Sequence, residues 1–112
     1  MQQTSEPLQL PQTDPAPSVG TLSASTELME ALFRVLLHND DVTPFEYVIG
    51  TLAKVFTLSS EISEHIALTA HHEGLAIVII RPRTEAERLS QSANRLARAD
   101  GFPLTFSVEP DI

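Results

Sequence analysis

Phe33-Arg34-Val35-Leu36-Leu37-His38-Asn39-Asp40-Asp41-Val42-Thr43-Pro44-Phe45-Glu46-Tyr47-Val48 carries three structural statements in sixteen residues. The large apolar residues of Phe33–Leu37 predict a strand. His38–Val42 is a polar break. Thr43-Pro44-Phe45-Glu46 announces a helix, with Thr43 as N-cap, Pro44 at the first helical position and Glu46 closing a capping box. Phe45, Val48, Ile49, Leu52, Val55 and Phe56 then recur at helical spacing, ending near Thr57.

Downstream, Ser59 or Ser60 caps a second helix that runs to about Glu73, where Gly74 is a natural stop. Leu75-Ala76-Ile77-Val78-Ile79-Ile80-Arg81 is the clearest strand of the chain. Its unbroken apolar character predicts burial on both faces or nearly so, and Pro82 ends it. Thr84-Glu85-Ala86-Glu87 reads as another capping box. Ala86, Leu89, Ala93, Leu96 and Ala97 form the stripe of a third helix, which Asp100-Gly101 terminates. Leu104–Val108 alternates as a last strand. The order β-α-α-β-α-β predicts an α+β domain, with three helices packed on one face of a three-stranded antiparallel sheet.

Upstream the character changes. The first 33 residues hold no Lys or Arg and contain four of the eight prolines, Pro7, Pro11, Pro15 and Pro17. Such a stretch buries too little apolar surface to offset its ordering entropy. Residues 1–27 are therefore read as a disordered arm and 28–112 as the folded domain.

The 112 residues carry a formal charge of -8 and no cysteine. That excludes a disulfide framework and a thiol nucleophile, and it argues against a nucleic-acid phosphate binder. It suits a cationic ligand. No apolar run reaches the roughly 18 residues of a membrane span, and no secretory leader is evident, so the cytoplasm is the expected compartment.

Asn39-Asp40-Asp41 and His71-His72-Glu73 are the segments able to carry chemistry. Short polar residues are common in turns for local backbone reasons. Adjacent helical residues point about 100° apart, so one of the two histidines is expected to face inward and the other water. Asp40, Asp41 and His71 offer oxygen and nitrogen ligands, but no HExxH accompanies them and no metal or other cofactor is expected. No GxSxG elbow appears, and no catalytic residue is assigned.

The quoted stretch resembles the opening signature of the ClpS adaptor family, an apolar strand followed by x-Asn-Asp-Asp-x-Thr-Pro and a helix. Ala70-His71-His72-Glu73-Gly74-Leu75-Ala76 looks like its second signature, His-x-x-Gly-x-Ala, and Phe102-Pro103-Leu104 with Val108-Glu109-Pro110 is similar to its last strand. Three separated motifs in the family's order make chance similarity improbable. The resemblance implies a non-enzymatic adaptor of the bacterial N-degron pathway, monomeric and cytosolic rather than in the plastid stroma. Its cargo would be proteins that begin with Phe, Tyr or Trp, with Leu as a further candidate. It would deliver them to the N-terminal domain of a ClpA- or ClpC-type unfoldase paired with ClpP.

The same resemblance implies residue roles. Asn39, Asp41 and His71 would stand closest to the cargo's α-amino group, with Asp40 acting directly, through water or by shaping the loop. A free α-amino group has a pKa near 7.7–8.0 and presents three donors and a positive charge. Those need carboxylates, an amide oxygen and a neutral imidazole nitrogen. Acid should weaken binding as His71 protonates and loses its acceptor. Leu37, Thr43, Phe45, Val48, Ala67, Ala70 and Leu104 match the apolar pocket for the first side chain.

Phe45 and Ala67 each replace a usual Met, and Ala70 replaces a usual Val, so the pocket should favour large aromatics over Leu. Unfoldase docking falls on Thr84, Glu85 and Leu89, with Leu89 where Lys is usual, which turns partner choice toward ClpC. The alternative is a Clp-docking scaffold that has lost or altered degron recognition.

Overall fold

The computed structural model describes residues 30–112. The expected arm, residues 1–27, lies outside the described residues. The elements are β1 Leu32–His38, α1 Phe45–Val55, α2 Ser60–Glu73, β2 Leu75–Pro82, α3 Arg83–Ala99 and β3 Thr105–Pro110. β1 lies in the middle of a three-stranded sheet of order β2-β1-β3, antiparallel to both neighbours. The α+β order read from the sequence is the observed one.

Alternation along β1 sends Val35 and Leu37 into one core with Leu52 and Phe56 of α1, Ile66, Ala67 and Ala70 of α2, Ala86, Ala93 and Ala97 of α3, and Phe106 of β3. The helices therefore cover one face of the sheet. On α3 the buried positions are Ala86, Ser90, Ala93 and Ala97. Small side chains at that spacing let the helix lie close to the strands.

β2 corrects the expectation of two-sided burial. It is an edge strand, and its register with β1 shifts between Val35 and Leu36. Val35 pairs with Ile79 and Leu36 with Ile77, which leaves Val78 as the extra residue of a bulge. Ala76, Val78 and Ile79 are buried, whereas Leu75, Ile77 and Ile80 are 41%, 47% and 37% exposed on the opposite face. The bulge turns two consecutive residues inward, so the apolar run serves both faces while only one is covered.

The helix ends follow the sequence reading in part. Ser59 caps α2, its Oγ accepting from the Ile62 amide at 3.2 Å. Gly74 takes the left-handed conformation, φ 86°, that closes α2. α3 ends in a Schellman arrangement, with the Gly101 amide on the Arg98 carbonyl and the Phe102 amide on the Ala97 carbonyl.

The two expected capping boxes do not form. α1 begins at Phe45 with Pro44 as its extended N-cap residue, because the Thr43 hydroxyl donates instead to Asp40 Oδ2 at 2.9 Å. α3 begins at Arg83 after Pro82. Glu85 and Glu87 form ion pairs with Arg81 and Arg83, at 3.6 Å and 3.0 Å, rather than closing a box on Thr84.

The outer edge of β3 is occupied at Phe106. The Phe106 amide donates to Asn94 Oδ1 at 2.8 Å, and the Phe106 carbonyl accepts from Asn94 Nδ2 at 3.0 Å and Ser90 Oγ at 3.2 Å. Side chains of α3 thus occupy backbone groups that another strand would otherwise pair.

Candidate functional site

The β1 end, the loop after it, the start of α1, the second half of α2 and the α3–β3 loop converge on a cavity of about 410 Å³. Its lining includes every residue predicted for the amine site and the apolar pocket: Asn39, Asp40, Asp41, His71, Leu37, Thr43, Phe45, Val48, Ala67, Ala70 and Leu104. His38 and Leu68, absent from the sequence reading, also line it. Leu68 stands three residues before His71 on α2, a helical neighbour that the spacing could have revealed. His38 Nε2 lies 2.6 Å from Ser107 Oγ across the sheet.

Two backbone details hold the polar rim. The Asn39 amide donates to the Gly74 carbonyl at 3.1 Å, tying the end of β1 to the turn that follows α2. Asp40 is committed to its own loop. Its Oδ1 accepts from the Val42 and Thr43 amides at 2.8 Å and 2.6 Å, and its Oδ2 accepts from the Thr43 hydroxyl. Desolvation pushes the Asp40 carboxyl up, but the Thr43 and Val42 hydrogen bonds, with the charge of Arg98, outweigh it and hold the pKa below the ordinary value. Asp40 therefore shapes the loop. Asn39, Asp41 and His71 are exposed where they line the cavity, and no other described residue bonds their side chains. His71 and His72 are both exposed, with ring centroids 5.4 Å apart, and only His71 lines the cavity.

The opposite end is apolar. Leu37, Ala67, Ala70 and Leu104 are buried there. Phe45 sits at the mouth, partly exposed, at the first residue of α1. Leu104 precedes β3 rather than belonging to it, because the chain turns at Gly101 and enters the strand only at Thr105. Phe102 anchors that turn against Tyr47, ring centroids 4.5 Å apart, and the Tyr47 hydroxyl donates to Asp100 Oδ2 at 2.5 Å. The arrangement has one end rich in hydrogen-bond acceptors and negative charge, and an apolar floor close behind it.

Residues 29–107 match the family model for the ATP-dependent Clp protease adaptor protein ClpS. This chain belongs to the ClpS family. It is 40% identical over 80 residues to the ATP-dependent Clp protease adapter protein ClpS 2 of Rhizobium meliloti (strain 1021), covering 71% of this chain and 79% of that one. It is 38% identical over 101 residues to the ClpS adapter of Desulfatibacillum aliphaticivorans, covering 88% and 97%. The solved structure of Agrobacterium tumefaciens ClpS2 bound to L-phenylalaninamide is similar in fold, with a TM-score of 0.71 at 40% identity over 72% of this chain and 98% of that one. ClpS proteins are adaptors of the Clp protease and not themselves catalytic enzymes. No helix of the described residues is long and apolar enough to cross a membrane.

Thr84, Glu85 and Leu89 lie apart from the ClpS cavity, in the first turns of α3. Thr84 is exposed, Glu85 is engaged with Arg81, and Leu89 packs against the core.

Proposed function

We propose that the cavity binds the free α-amino group and the large aromatic first side chain of N-degron proteins, for delivery to a Clp unfoldase and protease. The observation that carries this reading is the pairing, in one cavity, of acceptors on Asn39, Asp41 and His71, which no other described residue bonds, with an apolar floor built on Ala67 and Ala70. L-phenylalaninamide, the ligand of the Agrobacterium relative, presents those two chemistries, an α-ammonium and a benzyl side chain.

Charge-assisted hydrogen bonds contribute about 1.5–3 kcal/mol each, and burial of a large side chain about the same. Two or three such bonds plus burial, less association costs, reach the roughly -8 kcal/mol of micromolar binding. The two alanines leave depth that an aromatic ring fills and Leu does not, so Phe, Tyr and Trp are the favoured first residues and Leu a weaker one.

Delivery is through the first turns of α3. Thr84 and Glu85 present the polar contacts there, and Leu89 in place of a cation favours a ClpC-type N-terminal domain over a ClpA-type one. The working form is a cytoplasmic monomer whose core spans residues 28–112. The altered floor and Phe45 also support a second reading, a docking scaffold without degron recognition.

Fluorescence anisotropy separates the two. A labelled peptide beginning with Phe is compared with its N-acetylated twin and with versions beginning with Leu and Val. Binding confined to free-amine peptides, strongest for Phe, is the expected result. No binding of any peptide would leave the scaffold reading.

A further inference from the structure

Arg98 does not line the cavity, yet it is joined to two of its walls. It lies in the last turn of α3, where a cation is favoured by the helix dipole. Nη1 donates to the Leu104 carbonyl at 2.6 Å and to the Phe102 carbonyl at 2.9 Å. Nη2 donates to Thr105 Oγ1 at 2.9 Å, and that hydroxyl donates onward to the Pro103 carbonyl at 2.8 Å. Every residue from Phe102 to Thr105 is thereby tied, directly or through one hydroxyl, to a single guanidinium. A planar fork with five fixed donors can hold two carbonyls and a hydroxyl at once, and a lysine ammonium cannot match that geometry.

The second wall is electrostatic. The charge of Arg98 is the smallest of the causes that lower the Asp40 pKa, and the Asp40 carboxylate holds the loop bearing Thr43. Arg98 is itself exposed, so its replacement removes these ties without opening the core. Nothing else described bonds the Leu104 carbonyl, and Leu104 is the residue that the α3–β3 loop contributes to the cavity.

We propose that Arg98 is a positioning residue for selectivity: by clamping Phe102–Thr105 it fixes how far Leu104 stands into the cavity, and so sizes the cavity for an aromatic first side chain. This rests on the degron reading above. A clamp released on one side lets Leu104 shift, which costs an aromatic ring its fitted contact and costs the smaller Leu side chain less.

The test uses the full chain with Arg98→Met and Arg98→Lys. For Arg98→Met, affinity for the Phe-first peptide should fall about tenfold, the scale of one charge-assisted bond. Leu-first affinity should fall less, so the Phe-to-Leu ratio narrows. Arg98→Lys should restore part of that ratio, and it carries the test should the Met variant not fold. Equal losses for both peptides, with the ratio unchanged, would reduce Arg98 to a stability role and overturn the proposal.

Amide hydrogen exchange gives a readout without ligand. Exchange at Phe106, whose amide is bonded beside the clamp, should quicken in Arg98→Met while Val35 and Leu37 of β1 stay protected, and unchanged exchange at Phe106 would also overturn it. If the wild-type chain binds neither peptide, the degron reading falls, and exchange alone decides whether Arg98 holds this wall.

Discussion

Ala67→Met should erase the preference for an aromatic first residue. Ala67 is 3% exposed and lines the cavity of about 410 Å³, so its Cβ forms part of the floor. A Phe side chain carries three more carbons than Leu. At about 0.8 kcal/mol for each methylene-sized group, full burial of that difference reaches about 2.4 kcal/mol, or roughly fifty-fold in Kd. That is an upper figure for the wild-type preference. Methionine adds Cγ, Sδ and Cε to the same space, so a Leu-first peptide would meet a filled floor. A Phe-first peptide would meet crowding, which costs about 1–3 kcal/mol in a packed site. At a mid-range cost of about 2 kcal/mol, about 0.4 kcal/mol of preference remains and the two bind within about threefold of each other. Anisotropy titrations of both peptides against both proteins, with a urea melt to confirm folding, measure the change. Equal Phe and Leu affinities in the wild type, or a preference that survives Ala67→Met, would refute the reasoning that the alanines set the size of the site.

Asp41→Ala and His71→Ala should each weaken Phe-first binding about ten-fold or more, the loss of one charge-assisted bond. Both residues are exposed, so urea midpoints should stay near wild type, and retained affinity in both variants would remove the amine site from these residues. Asp40→Ala should instead lower stability by about 1–3 kcal/mol through the lost loop bonds, read from urea denaturation. Because the folded Asp40 pKa lies below its unfolded value near 3.8, its contribution is fully present above that value and fades as pH falls through the folded pKa. Asp40→Ala should therefore flatten part of the acid limb of a stability-against-pH profile below about pH 4. Gly74→Ala should cost about 1–2 kcal/mol from the left-handed backbone alone, since no neighbour stands within 4 Å of the added Cβ. A calorimetric melt would show it, and an unchanged Tm would mean that the turn relaxes.

The element order was legible because each break carries its own chemistry: Asn39-Asp40-Asp41 before Pro44, Ser59 before α2, Gly74 and Gly101 after their helices. Where sequence reading erred, two partners competed for one group. Thr43 has the composition of a cap, but its hydroxyl is closer to Asp40, and no local pattern ranks those choices. Glu85 and Glu87 likewise met arginines before they met the helix N-terminus. The run Leu75–Ile80 gave no sign of its bulge, because a β-bulge depends on the register of the partner strand and not on the residues that form it.

At the site, Asn39, Asp41 and His71 could be singled out as polar groups, but their convergence came from the resemblance and is seen directly only in the fold. Leu104 arrives from a distant loop. Arg98 acts on backbone carbonyls, which every residue possesses, so nothing in the sequence marks its targets.

The two side chains of α3 that occupy the outer edge of β3 at Phe106 have a further consequence for what can approach this side of the molecule. An extended polypeptide commonly attaches itself to a partner by continuing a sheet, and any internal stretch of chain can do that, because the backbone is the same everywhere. Beside the cavity that mode is blocked at Phe106, where Ser90 and Asn94 already hold the hydrogen bonds such a stretch would need. A chain arriving at that point finds the Phe106 amide and carbonyl already taken and cannot continue the sheet through them.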